Sequence, residues 1–534
     1  MVMYGADIVL RHARIYTLHP QQPRVTALAI RGGRILAIGT DEEMEALREP
    51  GTQVFDLGGK TILPGLADAH LHLERYARSL REVDCETQEL EECMARLKVQ
   101  ASRTPPGEWI LGHGWSQEAW GRYGTLGELD AATPHHPTFL TAKSLHAAWA
   151  NSLALQHACV GPGTPDPPGG VLQRTDVNSL TGILFESAVD LVARAIPAMT
   201  AGELAHHLRD AQARLHAHGV TSVHDFDGAR SFEALQILRE RGDLRLRVVK
   251  NIPIALLSHA RDLGLRYGFG DEWLCIGGIK VFADGALGTR TAAMLSPYEG
   301  EPQNWGLSLV DTEGLIEYGL MAMEGGFPLA VHAIGDRANH MVLDAFDALR
   351  EHESQRGAPR LRHRIEHLQL IAAADLPRPA SLGLVASMQP FHATSDMTMA
   401  DRWWGSRAAL SYAWNSLRGL GVVLAFGSDA PVEPPNPFWG LHAAVTRRRQ
   451  DGMPAPEGWI PDQRIGLLTA LEAYTCGPAY AAGLENHLGR IAPGYLGDLL
   501  VLEEDLFDMD PHNLFRLQPA ATMVGGEWVY RGGW

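Results

Sequence analysis

Between about residues 200 and 480 the chain alternates short apolar runs with amphipathic stretches, and few folds accept that rhythm. The apolar runs are VTSVHDF, LRLRVVKNI, CIGGIKVFAD, PLAVHAIGD, RHRIEHLQL, GLVASMQP and VVLAFGSDAP. Helical periodicity fills 201–218, 231–241, 312–324 and 339–353 between them. Strand–helix alternation predicts a parallel sheet covered by helices. So many repeats over this length favour a closed (β/α)8 TIM-type barrel over an open sheet. An open doubly wound sheet would also need a glycine-rich phosphate loop after its first strand, and none is present there. In such barrels the chemistry sits at the C-terminal ends of the strands.

The flanks read differently. Residues 1–60 and 485–534 contain short alternating strands punctuated by Gly32-Gly33, Gly58-Gly59 and Gly525-Gly526. Paired glycines between such runs signal tight hairpins. The two flanks predict one composite β-sandwich domain built from both chain ends. The barrel domain is then 61–484, with a long insertion at 74–200 after the first barrel strand. That insertion reads as helix-rich but irregular, too long for a simple connection, and suited to capping a substrate. His113, Trp115, Trp120, His146 and Trp149 within it can line a pocket for an apolar or aromatic group. Each also has a plain packing explanation.

Composition narrows the function classes. With 46 basic and 63 acidic residues among 534, the net charge is −17, which argues against a nucleic-acid or polybasic membrane surface. Five scattered cysteines without a Cys-x-x-Cys give neither a disulfide framework nor a cysteine zinc site. Asp7 and Arg11 interrupt the apolar pattern at the N-terminus, and no window has the uncharged length of a membrane span. A cytoplasmic protein acting on a small molecule is expected; a homodimer is left open.

The chemistry begins in TILPGLADAHLHL, residues 61–73. His70 and His72 are two apart, so an extended strand aims both at one point, as half of a zinc site does. Lys280, His332, His367 and Asp429 follow, each late in an expected strand, at gaps of 208, 52, 35 and 62 residues. Singly, a strand-end histidine is a hydrogen-bonded core residue, a strand-end aspartate a helix cap, and Lys280 a paired charge. Jointly, at the strand ends of one barrel, they form a ligand inventory.

These motifs carry a resemblance. LPGLADAHLHL, VHAIGD, His367 and GSDAP together resemble the metal-dependent amidohydrolase superfamily, and GIKVFADGALGTRTAAM points to its amidohydrolase-3 branch, which includes N-substituted formamide deformylases. The resemblance covers nearly the whole chain and does not specify a substrate. It implies that His70, His72, His332, His367 and Asp429 are metal ligands and that Asp429 is also the general base. Lys280 matches the lysine that relatives carry as a carbamate (N6-carboxylysine), whose two anionic oxygens can bridge two metals. One or two Zn2+ ions are implied.

The implied function is hydrolysis of an amide-type, non-peptide C–N bond by metal-activated water. A heterocycle deaminase on the same scaffold is the alternative, and a non-catalytic metal-binding or regulatory protein the second. Arg290 is expected to hold either a substrate carboxylate or an internal acid, and His392 to contact substrate. Glu366 should point away from the metal, because neighbouring strand residues alternate faces. Relatives often have Asp-Gly before the histidine of the inserted region. Here Ser144-Leu145 precedes His146, which lowers the weight of a substrate contact there.

Overall fold

The structure is a computed structural model that describes residues 5–197 and 199–532. Residues 1–4, 198, 533 and 534, which the expected boundaries include, lie outside the described residues. Eight strands form one sheet in chain order: β1 (Leu66–Leu71), β2 (Val220–Asp225), β3 (Arg247–Pro253), β4 (Leu274–Phe282), β5 (Leu329–Ala333), β6 (Arg364–His367), β7 (Val385–Met388) and β8 (Val423–Phe426). Each hydrogen-bonded neighbour pair is parallel. Such strands are buried on both faces, which is why their sequences are near-continuous apolar runs. The expected TIM-type barrel is therefore present.

Barrel closure runs through the segment after β8. Asp429 N donates to His70 O at 2.7 Å, and His72 N donates to Ala430 O at 2.8 Å. Asp68, only 2% exposed, fastens the same seam. Its carboxylate accepts from Ser428 N at 3.0 Å, from His70 N at 3.1 Å and from the Ser428 hydroxyl. Burial nevertheless pushes its pKa from 3.8 up to about 7, with the Ser428 bonds opposing. A raised folded-state pKa gives stability that is complete below about 4 and lost as pH rises through about 7. Asp68→Asn, a mimic of the protonated acid, is expected to flatten that decline in thermal unfolding between pH 4 and 7. Asp68→Leu strands three donors and is expected to lower stability by about 3 kcal/mol or more.

The helices that cover the sheet start where the sequence marks them. Ala201–Ala217 opens on a capping box, with Thr200 accepting from Glu203 N. Asp311 caps Thr312–Glu324. The helix expected from 339 begins earlier, at Asp336, and runs to Arg356. A large core joins the barrel strands to these helices, with Phe327, Phe346, Trp404 and Trp414 fully buried.

The chain ends contribute two further sheets. One pairs Ile8–Arg11, Ala27–Arg31, Arg34–Gly39 and Gln53–Asp56. The other joins Arg14–Tyr16 and Thr61–Pro64 to Leu499–Leu502, Ala521–Val524 and Glu527–Arg531. Thr61–Pro64 lies antiparallel to Leu499–Leu502, so N- and C-terminal chain share one sheet. Leu10, Ile30, Ile62, Val501 and Met523 belong to one core to which both sheets contribute. The Gly32-Gly33 and Gly525-Gly526 turns both hold two positive φ angles, as hairpin turns of this length require.

The insertion carries helices as expected and adds a sheet that the sequence did not signal: Val83–Asp84, Ile110–Trp115, Thr138–Ala142, Ala147–Ala150, Gly170–Arg174 and Leu180–Glu186 form a six-stranded mixed sheet. Leu90–Arg103 is its longest helix. Runs of four to seven residues broken by glycine give little periodicity, so the helix dominated the sequence signal. Trp115, Trp149, Leu97 and Leu140 form a separate core for this layer.

Candidate metal centre

The strand ends bring six of the expected side chains to one place. His70 lies inside β1 and His72 one residue past its end. Lys280, His332 and His367 lie in β4, β5 and β6. Asp429 follows β8 by three residues. His367 and Asp429 hold φ of +71° and +61°, a left-handed backbone that costs non-glycine residues about 1–3 kcal/mol and persists at functional sites.

Asp429 is the meeting point. Its Oδ1 stands 3.6 Å from His70 Nε2 and 3.5 Å from His72 Nε2. Its Oδ2 stands 3.9 Å from His392 Nε2 and 4.0 Å from His367 Nδ1. Lys280 Nζ is 3.5 Å from His70 Nε2. Phe226 stacks under the His70 ring at 4.0 Å.

In each expected ligand histidine, one ring nitrogen is already engaged. His70 Nδ1 donates to Glu366 Oε2 at 2.6 Å, and His72 Nδ1 to Asp227 Oδ1 at 3.1 Å. His332 Nε2 donates to Gly285 O at 3.0 Å, and His367 Nδ1 to Gln389 Oε1 at 2.8 Å. Each partner is an acceptor, so each fixes a proton on that nitrogen and leaves the other ring nitrogen as a lone pair, the form a metal ligand needs. Burial, then the Lys280 charge, hold His70 and His332 well below the usual imidazole range. Burial, then His332, do the same for His367. Burial lowers Lys280 itself to about 8, with Glu366 and Asp429 opposing.

The donor set fits a cation on a second count. Asp429 is 8% exposed and its Oδ1 has no hydrogen-bond partner. An unpaired buried carboxylate oxygen is costly. Separations of 3.5–3.6 Å to two imidazole nitrogens are too long for hydrogen bonds. They suit two ligands sharing an ion with arms of about 2.1 Å.

A cavity of about 1000 Å³ opens over this group. His72, Lys280, His332, His367 and Asp429 line it, as do His392, His146 and Trp115. His146 Nδ1 bonds Glu186 Oε2 at 2.8 Å. Burial lowers His146, and the Glu186 carboxylate more than reverses this, so its pKa is raised. Burial takes His392 down to about 4. Trp115 is 1% exposed and its indole donates to Leu140 O.

Two expected substrate contacts are not brought to this wall. Arg290 pairs with Glu301 at 3.0 Å and Glu118 at 3.8 Å and lies over the Trp403 ring. His113 is bonded through both nitrogens, to Thr141 Oγ1 and Pro431 O, each at 2.9 Å.

The supporting residues were missed by sequence reasoning. Glu366 holds His70 through Nδ1. Arg364 grips Glu366 through Nε at 2.6 Å and Nη2 at 3.0 Å, and also bonds Ala69 O, Ser387 Oγ and His224 Nδ1. The available signal was Arg364 and Glu366 two apart in a strand with no exposed residue. Glu366→Gln is expected to weaken metal binding about 10- to 100-fold, read by chelator competition with the far-ultraviolet circular dichroism unchanged. Unaltered affinity would remove Glu366 from the centre.

Comparison with known proteins agrees with this geometry. The sequence pattern of the Amidohydrolase family matches residues 53–530. Protein LONG AFTER FAR-RED 3 of Arabidopsis thaliana is 33% identical over 98% of this chain and 92% of its own length. N-substituted formamide deformylase of Arthrobacter pascens is 29% identical over 98% of each chain. The crystal structure of an uncharacterized metal-dependent hydrolase from Pyrococcus horikoshii OT3 superposes with a TM-score of 0.79 at 30% identity, covering 94% of this chain and 99% of that one. Barrel, histidine cluster and family match together establish that this chain belongs to the Amidohydrolase family.

Proposed function

We propose that the protein hydrolyses an amide-type, non-peptide C–N bond of a small molecule, with N-substituted formamides and N-acyl compounds the first class to test. The observation that carries this reading is the convergence of His70, His72 and His392 nitrogens on one buried carboxylate, Asp429, under an open cavity. His70, His72, His332, His367, Lys280 and Asp429 would hold one or two Zn2+ ions. When bound, Zn2+ polarises a substrate oxygen and lowers the pKa of a coordinated water to about 7.

Asp429 takes the proton that the attacking water gives up. It then returns that proton to the leaving nitrogen as the C–N bond breaks, so one carboxylate serves both transfers. His70 and His72, fixed by Glu366 and Asp227, aim their free nitrogens at Asp429 Oδ1. The cavity walls confine the amide, and the insertion supplies part of that wall through Trp115 and His146.

Lys280 supports a carbamate. An ammonium 3.5 Å from His70 Nε2 would repel a cation there. Burial lowers its pKa to about 8, which enlarges the fraction of neutral amine, the form that captures carbon dioxide. We read the two terminal sheets as one composite β-sandwich, and the protein as a cytoplasmic enzyme without nucleic-acid or membrane partners. Among the described residues no helix is long and apolar enough to cross a membrane.

The test is product analysis on the zinc-loaded protein. Release of formate or another carboxylate with an amine supports amide hydrolysis. Ammonia from a ring amine or amidine would place the protein with the deaminases. Inertness across amide, lactam and cyclic-amine panels would favour a non-catalytic role.

A further inference from the structure

The left-handed backbone at Asp429, with φ of +61°, persists only where surrounding contacts fix it. One set of contacts comes from the barrel. Asp68 grips Ser428, and Asp429 N and Ala430 O bond to residues 70 and 72 at 2.7 and 2.8 Å. The chain then turns, and Val432 N donates back to Asp429 O at 2.9 Å. Residues 429–432 thus form one closed turn with the carboxylate at its first position.

The far side of that turn is held by the insertion. His113, in the strand Ile110–Trp115, bonds Pro431 O through Nε2 at 2.9 Å, across 318 residues of sequence. A carbonyl oxygen only accepts, so Nε2 carries the proton. Burial lowers His113 to about 4, against the Pro431 bond, so the ring is neutral at pH 7. Its Nδ1 then accepts from the Thr141 hydroxyl at 2.9 Å, a closer partner for that hydroxyl than Gly112 O at 3.4 Å. Thr141 lies on the neighbouring strand Thr138–Ala142. Both ring nitrogens are therefore committed, which fixes tautomer and orientation together.

A second anchor lies beside the first. Lys143 Nζ stands 3.1 Å from Glu433 Oε2 and 2.6 Å from Glu86 Oε1. Glu433, two residues past Pro431, is 2% exposed. Lys143 N donates to Trp115 O at 2.9 Å, so both anchors belong to one layer of the insertion. Lys143 and Glu433 also border the cavity, whereas His113 is not among the described residues that line it.

We propose that His113 is a positioning residue for the reaction. By fixing Pro431 O, beside the Lys143–Glu433 pair, it makes the inserted layer the second support of the turn that aims Asp429. The proposal rests on the reading of Asp429 as proton acceptor and goes beyond it, since that reading gives the insertion only a wall of the cavity.

The test uses the zinc-loaded full chain and an N-substituted formamide. His113→Leu, which removes the donor, is made alone and together with Asp429→Asn. Alone, it is expected to lower kcat about 100-fold, the effect of displacing a reacting group by about 1 Å, with KM near the wild-type value. In the Asp429→Asn background it should cost nothing further, because it acts through that carboxylate. His113→Gln, which returns one side-chain N–H, should recover most of the loss. Independently of turnover, amide hydrogen exchange over residues 428–433 should quicken about 10-fold in His113→Leu, the equilibrium worth of one hydrogen bond. Strand β8 should stay as protected as in the wild type. Thr141→Val, which frees the ring to turn, should show the same pattern at smaller size, and it decides the matter if His113→Leu does not fold. Unchanged exchange over 428–433, a loss confined to KM, or an equal loss in both backgrounds would overturn the proposal. Full activity in Asp429→Asn would instead overturn the reading of Asp429 beneath it.

Discussion

Asp429→Asn is expected to lower kcat/KM by about 10^4-fold while zinc content at saturating metal stays near normal. The magnitude is the upper end for proton transfer by a placed side chain, because one group serves two transfers. Asparagine keeps an oxygen for a metal, and the left-handed backbone at position 429 tolerates it, since asparagine adopts that conformation more readily than most residues. What it loses is the basic oxygen. The measurement pairs steady-state turnover with zinc analysis on the same sample. Full activity in this variant would remove Asp429 from the proton path. Loss of all metal would show that its coordinating role dominates.

Lys280→Met is expected to cost on the order of 10^3-fold in turnover, several kcal/mol of transition-state charge stabilisation, together with metal content. Methionine fills similar volume in a position 2% exposed, so packing is largely retained. In the wild type, metal-stripped protein kept free of carbon dioxide should regain activity only when bicarbonate accompanies zinc. A carbamate resonance from 13C-bicarbonate should be present in the wild type and missing in the variant. Full recovery without bicarbonate would show that Lys280 acts as a plain amine.

The two variants separate roles that the geometry places side by side. Asp429 and Lys280 both approach His70 Nε2, at 3.6 and 3.5 Å. On the proposed reading the first would accept a proton and the second would offer carbamate oxygens to the metal, so only the second should respond to bicarbonate.

The barrel was legible because a parallel strand covered by helices must be apolar on both faces, which leaves runs such as PLAVHAIGD easy to find. His70, His72, Lys280, His332, His367 and Asp429 stood out because ionisable groups at the ends of such runs need a purpose. The supporting layer was not legible in the same way. Glu366 meets His70 across 296 residues of sequence, and no local pattern encodes that contact. Arg290 is taken up by Glu118 from the insertion and Glu301 from its own loop, so its role depended on packing between distant segments. The insertion's sheet escaped because Gly112, Gly114 and Gly182 interrupt short strands whose partners are both parallel and antiparallel. His392 was visible as a strand-end histidine, but only the geometry shows it facing Asp429 Oδ2.

The most direct single measurement is carboxylate release from an N-substituted formamide by chelator-stripped protein titrated with Zn2+. The stripped protein should be inactive, and activity should rise with each equivalent until the site is full and then stay level. Equal formate release before and after zinc would contradict a metal-dependent amide hydrolase built around Asp429.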